Sequence, residues 1–322
     1  VVRLIQVGMG GMGNAWLRAV GGSDEAEYAG LVEIDEAIAR KQCDAYDLNP
    51  GTVYATLSEA LGRLEADGVL VITPPQFHRE QSVEALRAGV PVLSEKPLAD
   101  TMEAAAEIVT AADETGVLHM VAQNYRYSVP VQTLKSVLDS GAVGQVGAAT
   151  VRFFRGPHFG GFRESMAHPL IVDMSIHHFD MMRYLLGREV VQVRGFAFNP
   201  AWSWFDGDAS AHLSLSCEGQ VQVGYHASWC SQGAETPWNG EWRFECEGGV
   251  VTLEGDRVLV YRPGAEPEPV PEVALPRTGQ SYLLHEFVEA LRGGPRPATT
   301  CQDNIRSLEI VFRALSAVGS GD

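Results

Sequence analysis

The chain opens on an apolar run, Val2-Arg3-Leu4-Ile5-Gln6-Val7, that passes into Gly8-Met9-Gly10-Gly11-Met12-Gly13. The run has strand character, and residues 14–20 have that of a helix. From there to residue 122 two kinds of apolar pattern alternate. Short β-prone runs at 28–32, 68–72, 90–94 and 117–122 predict buried strands. Stretches with helical periodicity predict helices starting at Glu36 and covering 57–66, 76–88 and a segment that stops at Gly116. Asp100 followed three residues later by Glu103 reads as the capping box that opens this last helix. Strands alternating with helices predict a doubly wound parallel sheet with helices on both faces, ending near residue 124.

The remaining chain has a different texture. Residues 128–139 and 169–186 predict helices. Six short alternating runs follow, at 190–198, 209–217, 220–229, 241–246, 250–253 and 257–261, separated by turn residues. They predict an open, mainly antiparallel sheet with one face covered by helices. Residues 263–276 are rich in Pro and Glu and read as a surface loop, and 281–291 and 303–317 as closing helices, one of them a candidate to pack back on the first domain. The expected architecture is α/β, with a dinucleotide-binding domain over 1–124 and an α+β domain for substrate and oligomerisation over 125–322. There is no internal repeat.

Composition narrows the class. A chain of 322 residues with 45% hydrophobic and 20% charged residues is long enough for two globular cores. Lys and Arg number 24 against 41 Asp and Glu, a net charge of −17, which argues against nucleic acid or an anionic membrane as partner. Cys43, Cys217, Cys230, Cys246 and Cys301 are widely spaced with no Cys-x-x-Cys pair. They read as reduced thiols of a cytoplasmic protein and not as a zinc site. No apolar run reaches membrane-span length, and the apolar start is too short and Gly-broken for a signal peptide.

The candidate chemistry sits at predicted strand ends. In Gly8-x-Gly10-x-x-Gly13, Gly8 permits a tight turn, Gly10 leaves room for a pyrophosphate, and Gly13 lets the helix approach the strand. The backbone of Met9, Gly11 and Met12 completes this phosphate-binding turn, and the helix N-terminus offers its N–H groups. Glu33, at the end of the second strand, suits the adenine-ribose hydroxyls of NAD and would repel the additional phosphate of NADP, so NAD is the expected cofactor. Asp35 is either an alternate for this role or the N-cap of the following helix. Three more segments follow strands: Thr73-Pro74-Pro75 with His78, Glu95-Lys96-Pro97, and Gln123-Asn124-Tyr125-Arg126. The Lys96–Pro97 bond is expected to be cis, in a tight turn aiming Lys96 into the cleft. On the predicted helix 169–186, Asp173, His177 and Asp180 share one face among apolar neighbours. They read as a catalytic stripe, as structural ion pairs with Arg183 or another residue, or as metal ligands. No further ligand cluster supports the last, so no metal is expected. His178 reads as a packing residue.

These motifs, in this order and spacing, resemble the glucose–fructose oxidoreductase/inositol dehydrogenase (Gfo/Idh/MocA) family over nearly the whole chain. Leu186-Gly187, Phe287-x-x-Ala290-Leu291-x-x-Gly294 and Pro297 through Asp303-Asn304 extend the match. The resemblance implies a Rossmann domain, and a second domain whose open sheet often forms a dimer interface. It implies NAD(P)-linked chemistry on a sugar, inositol or related polyol. Carried over, Lys96 contacts the reacting hydroxyl, His177 is the general acid/base, Asp173 holds substrate or His177, and Glu95 lies near the nicotinamide ribose. Asp180 supports the helix. Ser175 departs from the Gly of many members, and the second histidine, His178, is also a departure. Thr73, Pro74, His78 and Asn124 join the cofactor contacts. Arg126, His158 and Arg163 join Lys96, Asp173 and His177 as substrate contacts. Phe159, Trp202, Trp204, His226, Trp229, Trp238 and Trp242 either line a sugar pocket or fill the sheet's core or dimer face. The chain is thus expected to be a homo-oligomer, dimer or tetramer. Two alternatives stay open: a redox-neutral sugar transformation with transient NAD reduction, and an NAD-binding regulatory protein on the same fold.

Overall fold

The computed structural model describes residues 1–319. They fall into two compact units, Val1–Asn124 with Arg277–Ile305, and Tyr125–Pro276 with the chain from Arg306 on.

In the first unit, β1 (Val2–Val7), β2 (Ala26–Val32), β3 (Val53–Tyr54), β4 (Gly68–Val71), β5 (Val92–Ser94) and β6 (His119–Val121) form one parallel sheet in the order β3-β2-β1-β4-β5-β6. Strand order reverses between β1 and β4, the switch point where such sheets open a crevice for ligands. The connecting helices are α1 (Gly11–Gly21), α2 (Glu36–Tyr46), α3 (Leu57–Arg63), α4 (His78–Arg87) and α5 (Met102–Thr115). The doubly wound sheet is as the sequence predicts. Only β3, two residues long, carries too little pattern to be foreseen. Asp35 caps α2 by accepting from the N–H groups of Ala37 and Ile38. The cap of α5 is Thr101 and not Asp100: the Thr101 hydroxyl accepts the Ala104 N–H at 3.1 Å from an extended backbone.

The second unit holds α6 (Val129–Asp139), β7 (Val146–Phe154), α7 (Ser175–Leu186) and β8 to β14. These last strands are β8 (Val190–Phe198), β9 (Ser210–Cys217), β10 (Gln222–Ser228), β11 (Glu241–Cys246), β12 (Gly249–Glu254), β13 (Arg257–Tyr261) and β14 (Glu268–Pro269). The sheet runs β14-β13-β12-β11-β7-β10-β9-β8. It is antiparallel except for the β7/β10 pair, which is parallel. Strand β7 was not foreseen although it lies mid-sheet, because Gly144, Gln145 and Gly147 blur its start and Arg152 interrupts its apolar half. Helix α7 is buried on nearly all sides, as its apolar surround requires, and the rings of Phe153, Tyr225 and Trp242 pack against His178.

The other sheet face is more polar than expected. Glu241, Arg152, His226, His212 and Phe196 lie side by side in register across five strands, and in that row only Phe196 is a large apolar group, 58% exposed. Trp229 and Trp242 are buried in the core. The chain closes with α8 (Gly279–Leu291), which packs on α1 within the first unit, and α9 (Cys301–Gly319), which the division crosses. Among the described residues no helix is long and apolar enough to cross a membrane.

Candidate active site

The carboxyl edge of the first unit's sheet gathers the Gly-rich turn, Glu33, Thr73, Glu95, Lys96 and Asn124. Gly8 has φ +97°, and a Cβ there would meet the Ile72 carbonyl oxygen at 2.8 Å. A Cβ at Gly13 would meet the Gly8 oxygen at 2.4 Å, whereas Gly10 and Gly11 face open space. Helix α1 has Gly10 as its N-cap with no side-chain hydrogen bond and no acid in its first turn. Its N-terminal N–H groups therefore suit an anion. Met9 is buried with Leu17, Leu31, Ala39 and Cys43, while Met12 is 40% exposed. The Glu33 carboxylate accepts the Met9 N–H at 2.8 Å and the Asp35 N–H at 3.0 Å. It fixes the turn to the end of β2, where the ribose hydroxyls of a bound dinucleotide would lie.

Two supports of this edge had not been read from sequence. Gln6, fully buried in an apolar strand, donates to the carbonyls of Gly8 and Gly13 at 2.9 and 3.1 Å, and its oxygen accepts from the Tyr28 hydroxyl. An amide inside an apolar run was the available signal. Trp16 of α1 donates its indole N–H to Glu95 at 2.7 Å, so the Glu95 carboxylate, 6% exposed, ties the helix to the end of β5.

His78 braces two of these strand-end turns. It is fully buried, with Nδ1 2.9 Å from the Pro97 carbonyl oxygen and Nε2 2.8 Å from that of Thr73. It joins the turn after β4 to the turn after β5. Thr73 itself donates to Gln81 at 2.6 Å. The Lys96–Pro97 bond is cis, as expected, and Lys96 is half-buried.

In the second unit the predicted stripe divides into two environments. Residues Leu170–Met174 form a π-helical turn before α7. Asp173, on that turn, accepts from Arg163 at 2.6 Å. One turn on, the His177 ring stacks on Tyr125, with centroids 4.1 Å apart and planes 14° apart. The Tyr125 hydroxyl is held above its usual range by burial first, then by the charge of Asp173, against a smaller opposing effect of Arg155. Tyr125 thus joins the His177 ring, on which it stacks, to the charges of Asp173 and Arg155 that act on its hydroxyl, and the strand-end motif that contains Tyr125 gives no sign of this stacking role.

Asp180 faces elsewhere. Arg126 holds it bidentately in the interior, one arm at 2.7 Å. Ser307 donates to it at 2.8 Å and accepts from Arg183 at 2.8 Å. Arg126 is 4% exposed, and its guanidinium pairs with Asp180 in the interior. The ion-pair reading holds for Asp180, with Arg126 as partner in place of Arg183, which pairs with Glu189. His158 stacks on Trp204, with ring centroids 3.9 Å apart.

The second histidine has a structural role. His178 Nε2 is 3.1 Å from the Trp238 carbonyl oxygen and so carries the proton. Nδ1 then accepts from the Tyr225 hydroxyl at 2.9 Å, and that oxygen accepts from Ser175, also at 2.9 Å. The two residues noted as departures thus form one buried chain of hydrogen bonds. Burial pushes the His178 pKa down to about 4 and, together with the nearby His78, that of His119 down to about 3. Folded values below the unfolded value of about 6.5 mean that stability is complete above that pH and is lost as pH falls through it. We expect a loss on the order of 3 kcal/mol for each histidine, roughly 6 kcal/mol for the two, between about pH 6.5 and pH 4, read from urea unfolding. Equal unfolding midpoints at the two pH values would contradict the buried neutral state.

Comparison with known proteins identifies the family. Residues 2–123 match the family model described as oxidoreductase family, NAD-binding Rossmann fold, and residues 131–252 match the GFO/IDH/MocA C-terminal domain. The inositol 2-dehydrogenase of Rhizobium meliloti (strain 1021) is 26% identical, covering 98% of this chain and 97% of that protein. The 1,5-anhydro-D-fructose reductase of Ensifer adhaerens is 27% identical over 84% of this chain and 83% of its own. An Agrobacterium radiobacter oxidoreductase, solved with NAD+, L-tartaric acid and magnesium, superposes with a TM-score of 0.91 at 20% identity, over 100% of this chain and 97% of that one. With an NAD-binding Rossmann domain and the matching C-terminal domain in one chain, the protein belongs to the Gfo/Idh/MocA family of dehydrogenases and reductases.

Proposed function

We propose that this enzyme oxidises a sugar or cyclitol hydroxyl, or reduces the corresponding ketone, with NAD as its cofactor. The observation that carries the reading is His177: an imidazole 7% exposed on a helix buried on nearly all sides, stacked on Tyr125 and set one turn beyond the Arg163–Asp173 pair. The activities named for the inositol and anhydrofructose relatives support it.

A bound nicotinamide supplies the hydride acceptor. The turn Gly8–Gly13 and the start of α1 hold the pyrophosphate, and Glu33 the adenine ribose. The His177 imidazole takes the hydroxyl proton as the carbonyl forms. The Lys96 ammonium stabilises the developing alkoxide. Asp173, oriented by Arg163, positions the substrate or His177. The test is a screen of sugars and polyols for NAD reduction, with product analysis. Saturable NADH formation on a member of the panel is expected, and NAD binding with no turnover on any would favour a regulatory protein.

Glu33 also directs cofactor choice. A like charge facing the 2′-phosphate costs roughly 1–3 kcal/mol, so NAD should bind about ten- to a hundredfold more tightly than NADP. Fluorescence titration with both cofactors checks this, and equal affinities would remove the role given to Glu33.

We further propose a homo-oligomer, dimer or tetramer, joined through the outer sheet face that carries the Glu241–Arg152–His226–His212–Phe196 row. Light scattering at micromolar concentration should give at least twice the chain mass, and a monomer would contradict it. The five cysteines are free thiols and suit the cytoplasm, where we place the enzyme.

A further inference from the structure

The second unit has a cleft where the chain leaves β7, β8 and β10. Its volume is about 430 Å³, and its lining includes Gly156, His158, Trp202, Trp204, Gln232 and Glu235. Small-molecule sites span roughly 300–1,000 Å³, and this one falls in that range. Rings form its wall. The His158 imidazole stacks on the Trp204 indole, centroids 3.9 Å apart and planes 25° apart. Trp204 donates its N–H to the Pro157 carbonyl at 3.2 Å, and Trp202 to that of Cys230 at 3.3 Å. Trp202 is nevertheless 61% exposed, so its edge is anchored while its surface stays open. Behind this wall Phe205 and Trp229, both buried, stack with planes 6° apart.

The floor and rim are polar. A Cβ at Gly156 would meet the Ser231 carbonyl oxygen at 2.2 Å, so bare backbone is required there. Glu235 accepts the Gly156 N–H at 2.7 Å and pairs with Arg155 at 3.0 Å. The Gln232 amide is exposed. Indole surface beside an amide and a carboxylate suits a ligand with a C–H face and hydroxyl edges. A charged ligand would find Arg155 and Glu235 already paired with each other.

We propose that this cleft binds a pyranose ring, and that this ring is the second sugar of the substrate, which makes the substrate a glycoside. Contacts within the unit link the cleft to the catalytic helix. Arg155 lies 4.7 Å over the Trp238 ring, whose backbone carbonyl accepts from His178, the neighbour of His177. The substrate part of the proposal rests on the oxidation reading of His177.

The test measures binding and turnover separately. Maltose, cellobiose, lactose and melibiose are titrated against glucose and galactose by tryptophan fluorescence and calorimetry, with NADH formation followed in parallel. At least one disaccharide should bind tenfold or more tightly than its component monosaccharides. Trp202→Ala should weaken that binding about tenfold, Trp202→Phe should restore most of it, and circular dichroism of both variants should match wild type. Disaccharide binding that depends on Trp202 without turnover would keep the cleft and remove the oxidation reading. Turnover of monosaccharides with the same KM in wild type and Trp202→Ala, and no preference for disaccharides, would overturn the cleft and keep the oxidation reading. Binding unchanged by Trp202→Ala overturns the proposal in either case.

Discussion

Replacing Lys96 or His177 by Ala is expected to lower kcat by roughly 10²–10⁴-fold, the contribution of a positioned acid, base or alkoxide-stabilising group. NAD affinity should change little in either variant. The groups that suit the pyrophosphate and ribose are the Gly8–Gly13 turn and Glu33, which are held by Gln6 and by the Met9 and Asp35 N–H groups. If both side chains act on one proton-transfer step, the double variant will lose far less than the product of the single losses. Steady-state kinetics on the sugar that the screen identifies, with NAD binding measured separately, decides the matter. Near-wild-type turnover in both single variants would remove the mechanism.

The second large effect is on stability. Asp180→Ala deletes the bidentate partner of Arg126, and both side chains are at most 5% exposed. Breaking a buried ion pair from one side costs about 3–5 kcal/mol, because a charge stays behind in a medium that solvates it poorly. Ser307 loses an acceptor as well. The paired change Arg126→Met with Asp180→Leu removes both charges and should recover most of that loss. Urea unfolding of the three proteins checks this. A loss below about 1 kcal/mol in Asp180→Ala would place the pair among exposed ones in energetic effect.

The parallel sheet was legible because each of its longer strands is a mainly apolar run, and burial on both faces demands such runs. Strand β7 was not legible. One of its faces is open, so Thr150 and Arg152 alternate with Ala149, Val151 and Phe153, and glycines obscure where pairing begins. Among candidate site residues, strand-end position singled out Glu33 and Lys96. The partners of the charges were less accessible. Sequence spacing put Asp173, His177 and Asp180 on one helix face, but the π-helical turn over Leu170–Met174 changes the phase before α7. Asp173 then meets Arg163 and Asp180 meets Arg126, 54 positions away in sequence. His78 shows the same limit: its place after the Thr73 turn was visible, while the Pro97 carbonyl that makes it a brace is supplied by another loop.

The proposed reaction is direct hydride transfer from a carbinol carbon of the substrate to the cofactor, with His177 taking the proton. The most direct measurement follows deuterium from that carbon of the identified sugar into the cofactor, by mass spectrometry of the NADH and of the sugar product. One deuterium per turnover in NADH, with an oxidised product and loss of the signal in His177→Ala, is the predicted result. Deuterium returned to the sugar with no NADH accumulating, or NADH free of deuterium, would contradict net oxidation of a sugar hydroxyl by this enzyme.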